Sequence, residues 1–281
     1  MDKEILDAKR ERLIDILRDF ESVLVGYSGG VDSVFLARIA VDALGASRVL
    51  AVTGRSNSLP SWMEGTARDV AERFGIPWLE VDTFEGDDPR YAANPVNRCY
   101  FCKTELWARL REVADARGLR VLADGANADD VGDHRPGSAA GTEHKVRSPL
   151  LEAGLTKLEI RAWSRELGLP TWSQPAAPCL ASRIPYGIAV TPARLQQIET
   201  AELALRALGF RDFRVRHHDS TARLEIHPDE LDRAVGQRAA IAAAVRSGGF
   251  ASVVLDLDGY RRGALNEGLA ASSLIKLRRV G

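Results

Sequence analysis

Charge of one sign is what this sequence most plainly lacks. Its 38 Lys and Arg are balanced by 39 Asp and Glu, for a formal net charge of −1. No global positive field draws in a polyanion, so the balance argues against a nucleic-acid partner such as tRNA. Long apolar runs are missing too. None approaches the ~20 residues that a bilayer core requires, which argues against a membrane span. The charged, amphipathic start over residues 1–5 is unlike a signal peptide, and the expected location is the cytoplasm. Cysteine is scarce. Three residues are too few, and odd in number, for a disulfide framework. In a reducing compartment they read as metal ligands or reactive thiols. The GxxxxGK[ST] spacing of a Walker A loop is also absent.

What remains is ordinary for a soluble globular chain: 281 residues, 45% hydrophobic and 27% charged, enough for one large or two modest domains. Leu6, Leu13, Ile14 and Leu17 recur at helical spacing and predict an amphipathic helix over 3–20. Apolar runs at 23–27, 49–53, 77–81 and 120–123 predict strands. Helices are expected at 34–40, at 61–74 (with Ser61 as cap and Glu64 three residues on) and at about 102–117. This alternation predicts an α/β fold with a doubly wound parallel sheet. Residues 125–150, polar and rich in Gly and Asp, read as a long functional loop. A helix at 156–167 and a proline-punctuated irregular stretch at 171–191 follow. A smaller α+β module comes next: helix 193–208, strands 212–217 and 222–226, one or two helices over 228–247, and strand 250–256. The expected domains are 1–185 and 186–281.

The chain is organised around Ser28-Gly29-Gly30-Val31-Asp32-Ser33, between the first strand and the next helix. A strand, a glycine turn and a helix aim backbone N–H groups at an anion. The glycines let the backbone turn sharply and approach a phosphate. Ser28 and Ser33 add hydroxyls. Asp32 would repel a phosphate unless a cation lay between them, which points to a magnesium nucleotide. An ordinary tight turn would use the same Ser-Gly-Gly.

Cys99 and Cys102 form a CxxC pair, which can chelate a metal or cluster, act as a redox dithiol, or be two buried thiols. Arg98 and Lys103 beside them are expected to favour thiolate. Cys179 lies in a proline-flanked loop. If the three cysteines converge, they could hold a [4Fe–4S] cluster with one iron open, or a zinc ion with His134 or His144 as fourth ligand.

SGGVDS resembles the PP-loop of the N-type ATP pyrophosphatases, which adenylate a substrate oxygen and release pyrophosphate. Asn97-Arg98-Cys99-Tyr100-Phe101-Cys102-Lys103 widens the resemblance, as do Asp124-Gly125-Ala126-Asn127-Ala128-Asp129-Asp130 and Ser148-Pro149-Leu150. With PCLASRIPYG at 178–187 and Arg214-Val215-Arg216-His217, the sequence is similar to the LarE family over about residues 5–260. LarE enzymes are ATP-dependent sulfur transferases of nickel-pincer nucleotide synthesis, the route to the lactate racemase cofactor.

The resemblance implies an adenine nucleotide alpha hydrolase-like PP-loop domain with ATP and Mg2+ as cofactors, and a small nucleotide, a pyridinium biscarboxylate mononucleotide, as substrate. It implies ATP contacts at Ser28, Gly29, Gly30, Asp32, Ser33, Thr53, Ser58, Gly125 and Asn127. It places the substrate phosphate at Arg183, Arg214 and Arg216, and the metal or substrate at Glu202. Cys179 stands where the family keeps its sulfur-donating cysteine, which is sacrificed in single-cysteine members. With Cys99 and Cys102 also present, the resemblance implies a [4Fe–4S] cluster on three thiolates instead. Homo-oligomerisation is implied by analogy. From the residues alone, Glu202 reads as a helix-surface glutamate, and Arg214 and Arg216 as one solvated strand face. The competing readings are a tRNA thiolase, an amide-forming synthetase (for which no glutaminase-like domain is seen), or a nucleotide- or zinc-binding protein without turnover.

Overall fold

A computed structural model of the chain describes residues 3–131 and 136–261. In chain order the first elements are α1 (Lys3–Phe20), β1 (Val23–Gly26), α2 (Val31–Leu44), β2 (Val49–Arg55), α3 (Ser61–Arg73) and β3 (Trp78–Asp82). Then come α4 (Pro89–Ala92), α5 (Arg98–Arg117), β4 (Val121–Ala123), α6 (Pro136–Glu143), α7 (Pro149–Glu152) and α8 (Lys157–Glu166). The last part holds α9 (Pro192–Ala207), β5 (Phe213–His218), β6 (Thr221–Ile226), α10 (Leu231–Gly236), α11 (Arg238–Arg246) and β7 (Ser252–Leu255).

The first sheet has the order β3-β2-β1-β4, and every pairing is parallel. This is the doubly wound arrangement expected from the alternation. Side chains on the inner strands alternate between two cores, as a period of two requires. Val23, Val25, Val49 and Ala51 pack with α1, α2 and α8 through Leu13, Leu17, Phe35 and Ile160. Leu24, Leu50, Val52 and Leu122 face the other way, onto Trp107, Leu110 and Ala114 of α5. Burial on both faces is why these strands are continuous apolar runs. The chain winds outward from β1 to β3 and then crosses to β4 on the far side of β1. The crevice outside the carboxyl ends of β1 and β4 is therefore the topological switch point, where such sheets bind ligands.

The second sheet, β5-β6-β7, pairs antiparallel and then parallel. Its core is Ile198, Ala201 and Leu205 of α9 with Val215, Leu224, Ile226 and Ile241. Tyr91, Leu180, Ala181 and Ile184 belong to this same core. The stretch carrying Cys179 thus packs against the small α+β unit.

Three local expectations are corrected. Helix α5 begins at Arg98, a turn earlier than expected, so both CxxC cysteines are helical. The segment 125–150 holds a 3-10 turn, α6 and α7 rather than one irregular loop. The cap of α3 is Pro60 with no side-chain cap bond, so Ser61 is its first residue rather than its cap.

Candidate active site

The loop after β1 is built as an anion cradle. Gly29 has φ 74°, in the left-handed region that glycine enters at no cost, and a Cβ there would lie 2.9 Å from the Ala67 Cβ. The Ser28 and Ser33 hydroxyls are 3.2 Å apart, and Ser33 Oγ donates to Gly30 O at 3.2 Å. Gly30 caps α2 without a side-chain bond. The first N–H groups of α2 have no acceptor within the helix and carry its positive dipole end. Gly125, just beyond β4, presses on this helix start: a Cβ there would come within 3.1 Å of the Ser33 nitrogen. Asn127 caps the next turn through Asp129 N at 3.0 Å and directs Nδ2 to Asp32 Oδ1 at 3.4 Å. Asp130 completes that capping box.

The sequence reading missed Lys157. Its ammonium contacts Asp32 Oδ2, and its backbone N–H donates to Asp129 Oδ2 at 2.9 Å. The signal was Thr156 with Glu159 three residues on, a capping box that fixes α8 and points its first turn at the loop. Asp124 was also passed over. It accepts from Ser148 Oγ at 2.7 Å and from Ala126 N at 3.1 Å, which shapes the turn that carries Gly125.

Thr53 and Ser58 lie on and beyond the carboxyl half of β2, but their hydroxyls serve the protein. Thr53 Oγ1 donates to Tyr27 O at 2.6 Å and accepts from Trp78 at 2.9 Å. Ser58 Oγ pairs with Tyr91 OH at 2.5 Å, while Ser58 O accepts from Leu180 N at 2.8 Å. Ser58 thereby ties the loop after β2 to the Cys179 segment.

That segment is irregular, and it is buried at Leu180, Ala181 and Arg183, so carbonyls turned inward need donors. Four buried arginines supply them. Arg214 donates to Ala176 O at 2.6 Å; Arg183 to Pro178 O at 2.7 Å and Cys179 O at 3.1 Å. Arg98 donates to Ala181 O at 2.9 Å and Arg216 to Ser182 O at 2.8 Å. Glu202 receives Arg183 in a two-pronged pair at 2.9 and 3.0 Å and accepts from Val215 N at 3.1 Å. Glu225 receives Arg216 at 2.9 and 2.7 Å.

The surface readings of these residues are therefore overturned. Glu202 is 2% exposed, Arg214 4% and Arg216 7%. Arg214 and Arg216 do share one face of β5, but that face is covered by residues 176–183 rather than by water.

All three cysteines are free thiols, with Cys99 exposed and Cys102 and Cys179 half-buried. They lie close enough for charge on Cys179 to act on both of the others. The expectation of ready thiolates at the CxxC pair does not hold. Burial pushes the Cys102 thiol up, with Glu85 and Cys179 adding to it against Lys103. Desolvation and then Cys179 also raise Cys99, although that residue as a whole is exposed, and Arg98 only partly opposes them. Desolvation outweighs neighbouring cations here.

Among the described residues no three His, Cys, Asp or Glu side chains converge as a single metal ion demands. His144 lines a cavity of about 600 Å³ with Arg111, Arg120 and Arg147, at the amino end of β4 and away from the switch point. His134 lies outside the described residues.

The carboxylates of the arginine cluster set an acid limit. Burial raises Glu202, but Arg183, the Val215 N–H and Arg214 together hold it below the usual carboxylate range. Arg216 and Arg223 do the same for Glu225 against its own burial. A depressed native value stabilises the fold above the unfolded glutamate value of about 4.3. That stability is lost as pH falls toward and through the native values. Urea midpoints are thus expected to hold steady from neutrality down to about pH 5 and to drop below pH 4. In Glu202→Gln, already destabilised at neutral pH, the drop should be shallower.

A parallel sheet with a strand–glycine loop–helix at its switch point defines an α/β protein of the nucleotide-binding kind, and the family model for NAD synthase matches residues 11–115. The likeness to whole chains is longer. Pyridinium-3,5-bisthiocarboxylic acid mononucleotide synthase of Lactiplantibacillus plantarum is 33% identical over 269 residues, covering 96% of this chain and 98% of the relative. An uncharacterised protein of Synechocystis is 42% identical over 265 residues, covering 93% and 98%. An NH(3)-dependent NAD(+) synthetase of Methanosarcina mazei is 37% identical over 84 residues, covering 27% of this chain and 33% of the relative. The chain belongs to the pyridinium-3,5-bisthiocarboxylic acid mononucleotide synthase (LarE) family.

Proposed function

We propose that the chain is an ATP-dependent sulfur transferase. It adenylates a carboxylate of pyridinium-3,5-biscarboxylic acid mononucleotide and replaces the activated oxygen with sulfur, in nickel-pincer nucleotide synthesis. The observation that carries this reading is the 33% identity to the synthase over nearly the full length of both chains.

A carboxylate is a poor acyl acceptor because its leaving group would be oxide. In the proposed first step a carboxylate oxygen attacks the α-phosphorus of ATP, and pyrophosphate leaves. Ser28, Gly29, Gly30 and Ser33 hold the phosphates through the loop and the α2 N–H groups. Gly125 and Asn127 close the adenosine side, with Thr53 contributing through its backbone and Ser58 by shaping the wall. Magnesium needs hard oxygen ligands and takes only one or two carboxylates besides the phosphates. Asp32 fits that need, with Lys157 and Asn127 fixing its carboxylate. In the second step sulfur attacks the acyl carbon, and AMP departs with the original oxygen, leaving a thiocarboxylate.

Cys99, Cys102 and Cys179 fit a [4Fe–4S] cluster better than zinc. They are free and mutually close, and a cluster takes its thiolates from separate corners, without the convergence on one point that zinc requires. When bound, the cluster would supply transferable sulfide at its open iron. Arg183, Arg214 and Arg216 supply positive charge for the substrate phosphate from beneath the segment they hold, with Glu202 fixing Arg183 and Glu225 fixing Arg216. The working site is cytoplasmic, and by family analogy the enzyme is a homo-oligomer. No helix among the described residues is long and apolar enough to cross a membrane.

Anaerobic reconstitution with iron and sulfide, followed by addition of ATP, Mg2+ and the biscarboxylate nucleotide, tests the proposal. Expected are substrate-dependent pyrophosphate, a thiocarboxylate product and broad absorbance near ~400 nm that needs all three cysteines. Pyrophosphate release indifferent to the nucleotide would refute the substrate. Full iron uptake by a triple cysteine variant would refute the cluster.

A further inference from the structure

Arg98 stands apart from the other buried arginines. It is 2% exposed, yet no carboxylate of the described residues lies within ion-pair distance. Arg183 has Glu202, Arg216 has Glu225, and Arg214 has Asp212 at 3.4 Å. A guanidinium removed from water without a counter-ion is destabilising, so such a charge needs a reason.

We propose that Arg98 is a positioning residue and fixed counter-charge for anionic sulfur held by Cys99, Cys102 and Cys179. The inference rests on the sulfur-transfer reading above and adds a residue to it. Arg98 opens α5 directly before Cys99. Its Nη1 donates to Asn94 Oδ1 at 2.5 Å and to Ala181 O at 2.9 Å, two residues past Cys179. Asn94 is itself held: it is fully buried at φ 55°, and its Nδ2 serves Ile184 O, Pro185 O and Ile188 O at 3.3, 2.8 and 2.9 Å. The guanidinium is thus locked on a rigid mount between the CxxC turn and the Cys179 segment. The Tyr186 ring offers the cation only its face, 6.0 Å from the guanidinium, and the phenols of Tyr91 and Tyr186 are pushed up by burial, so the counter-anion is sulfur in its cluster-bound or persulfide form. A thiolate-bound cluster carrying an extra sulfide, or a persulfide, is such an anion.

The test compares wild type, Arg98→Lys and Arg98→Gln, each first checked for a folded far-UV spectrum and a cooperative melt. After anaerobic reconstitution, spectroelectrochemistry reads the reduction potential and chemical analysis reads labile sulfide per iron. A nearby cation favours the more negative reduced state. Arg98→Gln should therefore shift to more negative potential and lose sulfide relative to iron, and Arg98→Lys should restore both. Wild-type potential and sulfide in Arg98→Gln, or equal impairment in Arg98→Lys, overturns the proposal and leaves Arg98 a structural clip. If wild type takes up no iron, the cluster reading fails and the second arm decides the role of Arg98. Polysulfide-treated chains are then read by mass for persulfide on Cys99 and Cys179. Severalfold lower occupancy in Arg98→Gln, restored in Arg98→Lys, supports the counter-charge; equal occupancy in all three overturns it.

Discussion

Replacing Cys179 by serine is expected to abolish thiocarboxylate formation while leaving nucleotide-dependent pyrophosphate release within a few-fold of wild type. In the proposed function the two half-reactions sit on separate structures. Adenylation is assigned to the loop after β1, with Gly125, Asn127 and Lys157 around it. Sulfur delivery is assigned to the segment pinned by Arg98, Arg183, Arg214 and Arg216. The Cys179 side chain takes no part in that pinning. The carbonyls that the arginines hold belong to Ala176, Pro178, Cys179, Ala181 and Ser182, and a serine keeps every one. Serine lacks the thiol's affinity for iron and its nucleophilicity, so loss of transfer by about a thousandfold or more is the expected scale. Pyrophosphate and product measured in the same reaction separate the steps. A Cys179→Ser enzyme that still makes product at more than a tenth of the wild-type rate would remove Cys179 from the chemistry. One that releases no pyrophosphate would show that adenylation depends on the sulfur site.

Arg183→Met is expected to be the most damaging single change to stability, at about 3–5 kcal/mol, because it strands a buried carboxylate. Both Glu202 oxygens lean on Arg183, and what is left to them is the Val215 N–H and the field of Arg214. Arg183 Nη1 also closes the turn at Cys179 through Pro178 O, Cys179 O and Ser182 Oγ. Against a total stability of roughly 5–15 kcal/mol, that loss threatens the fold itself. Arg183→Lys keeps the charge and loses the planar fork, so it should fall between the two. A double change of Arg183 and Glu202 to methionine should recover much of the loss, since a buried ion pair is close to neutral against apolar replacements. Urea midpoints at constant m measure all three. A loss under about 0.5 kcal/mol for Arg183→Met would mean that water reaches Glu202 and that the cluster is looser than its geometry implies.

The parallel sheet was legible because its strands are buried on both faces and so read as plain apolar runs. The loop at 28–33 was legible because a strand, two glycines and a helix are contiguous in sequence. Residues 125–150 were misread because Gly, Asp and Ser are loop formers in isolation, whereas α6 is held by packing on α5, where Ala140 meets Trp107 and Leu110. Lys157 was invisible for a related reason: it meets Asp32 only after α8 docks beside α2.

The sequence by itself determined the doubly wound sheet, the glycine loop at its switch point and the three cysteines, since each rests on local pattern or residue chemistry. The tertiary structure alone decided which charges are buried. Glu202, Arg214 and Arg216 look like surface residues because helical and strand periodicity cannot tell water from a neighbouring segment. Residues 176–183 cover them, and the carbonyls of that irregular stretch, needing donors once enclosed, account for the arginines gathered there. The same enclosure makes desolvation dominate at Cys102, so burial rather than the adjacent basic residues sets its proton affinity.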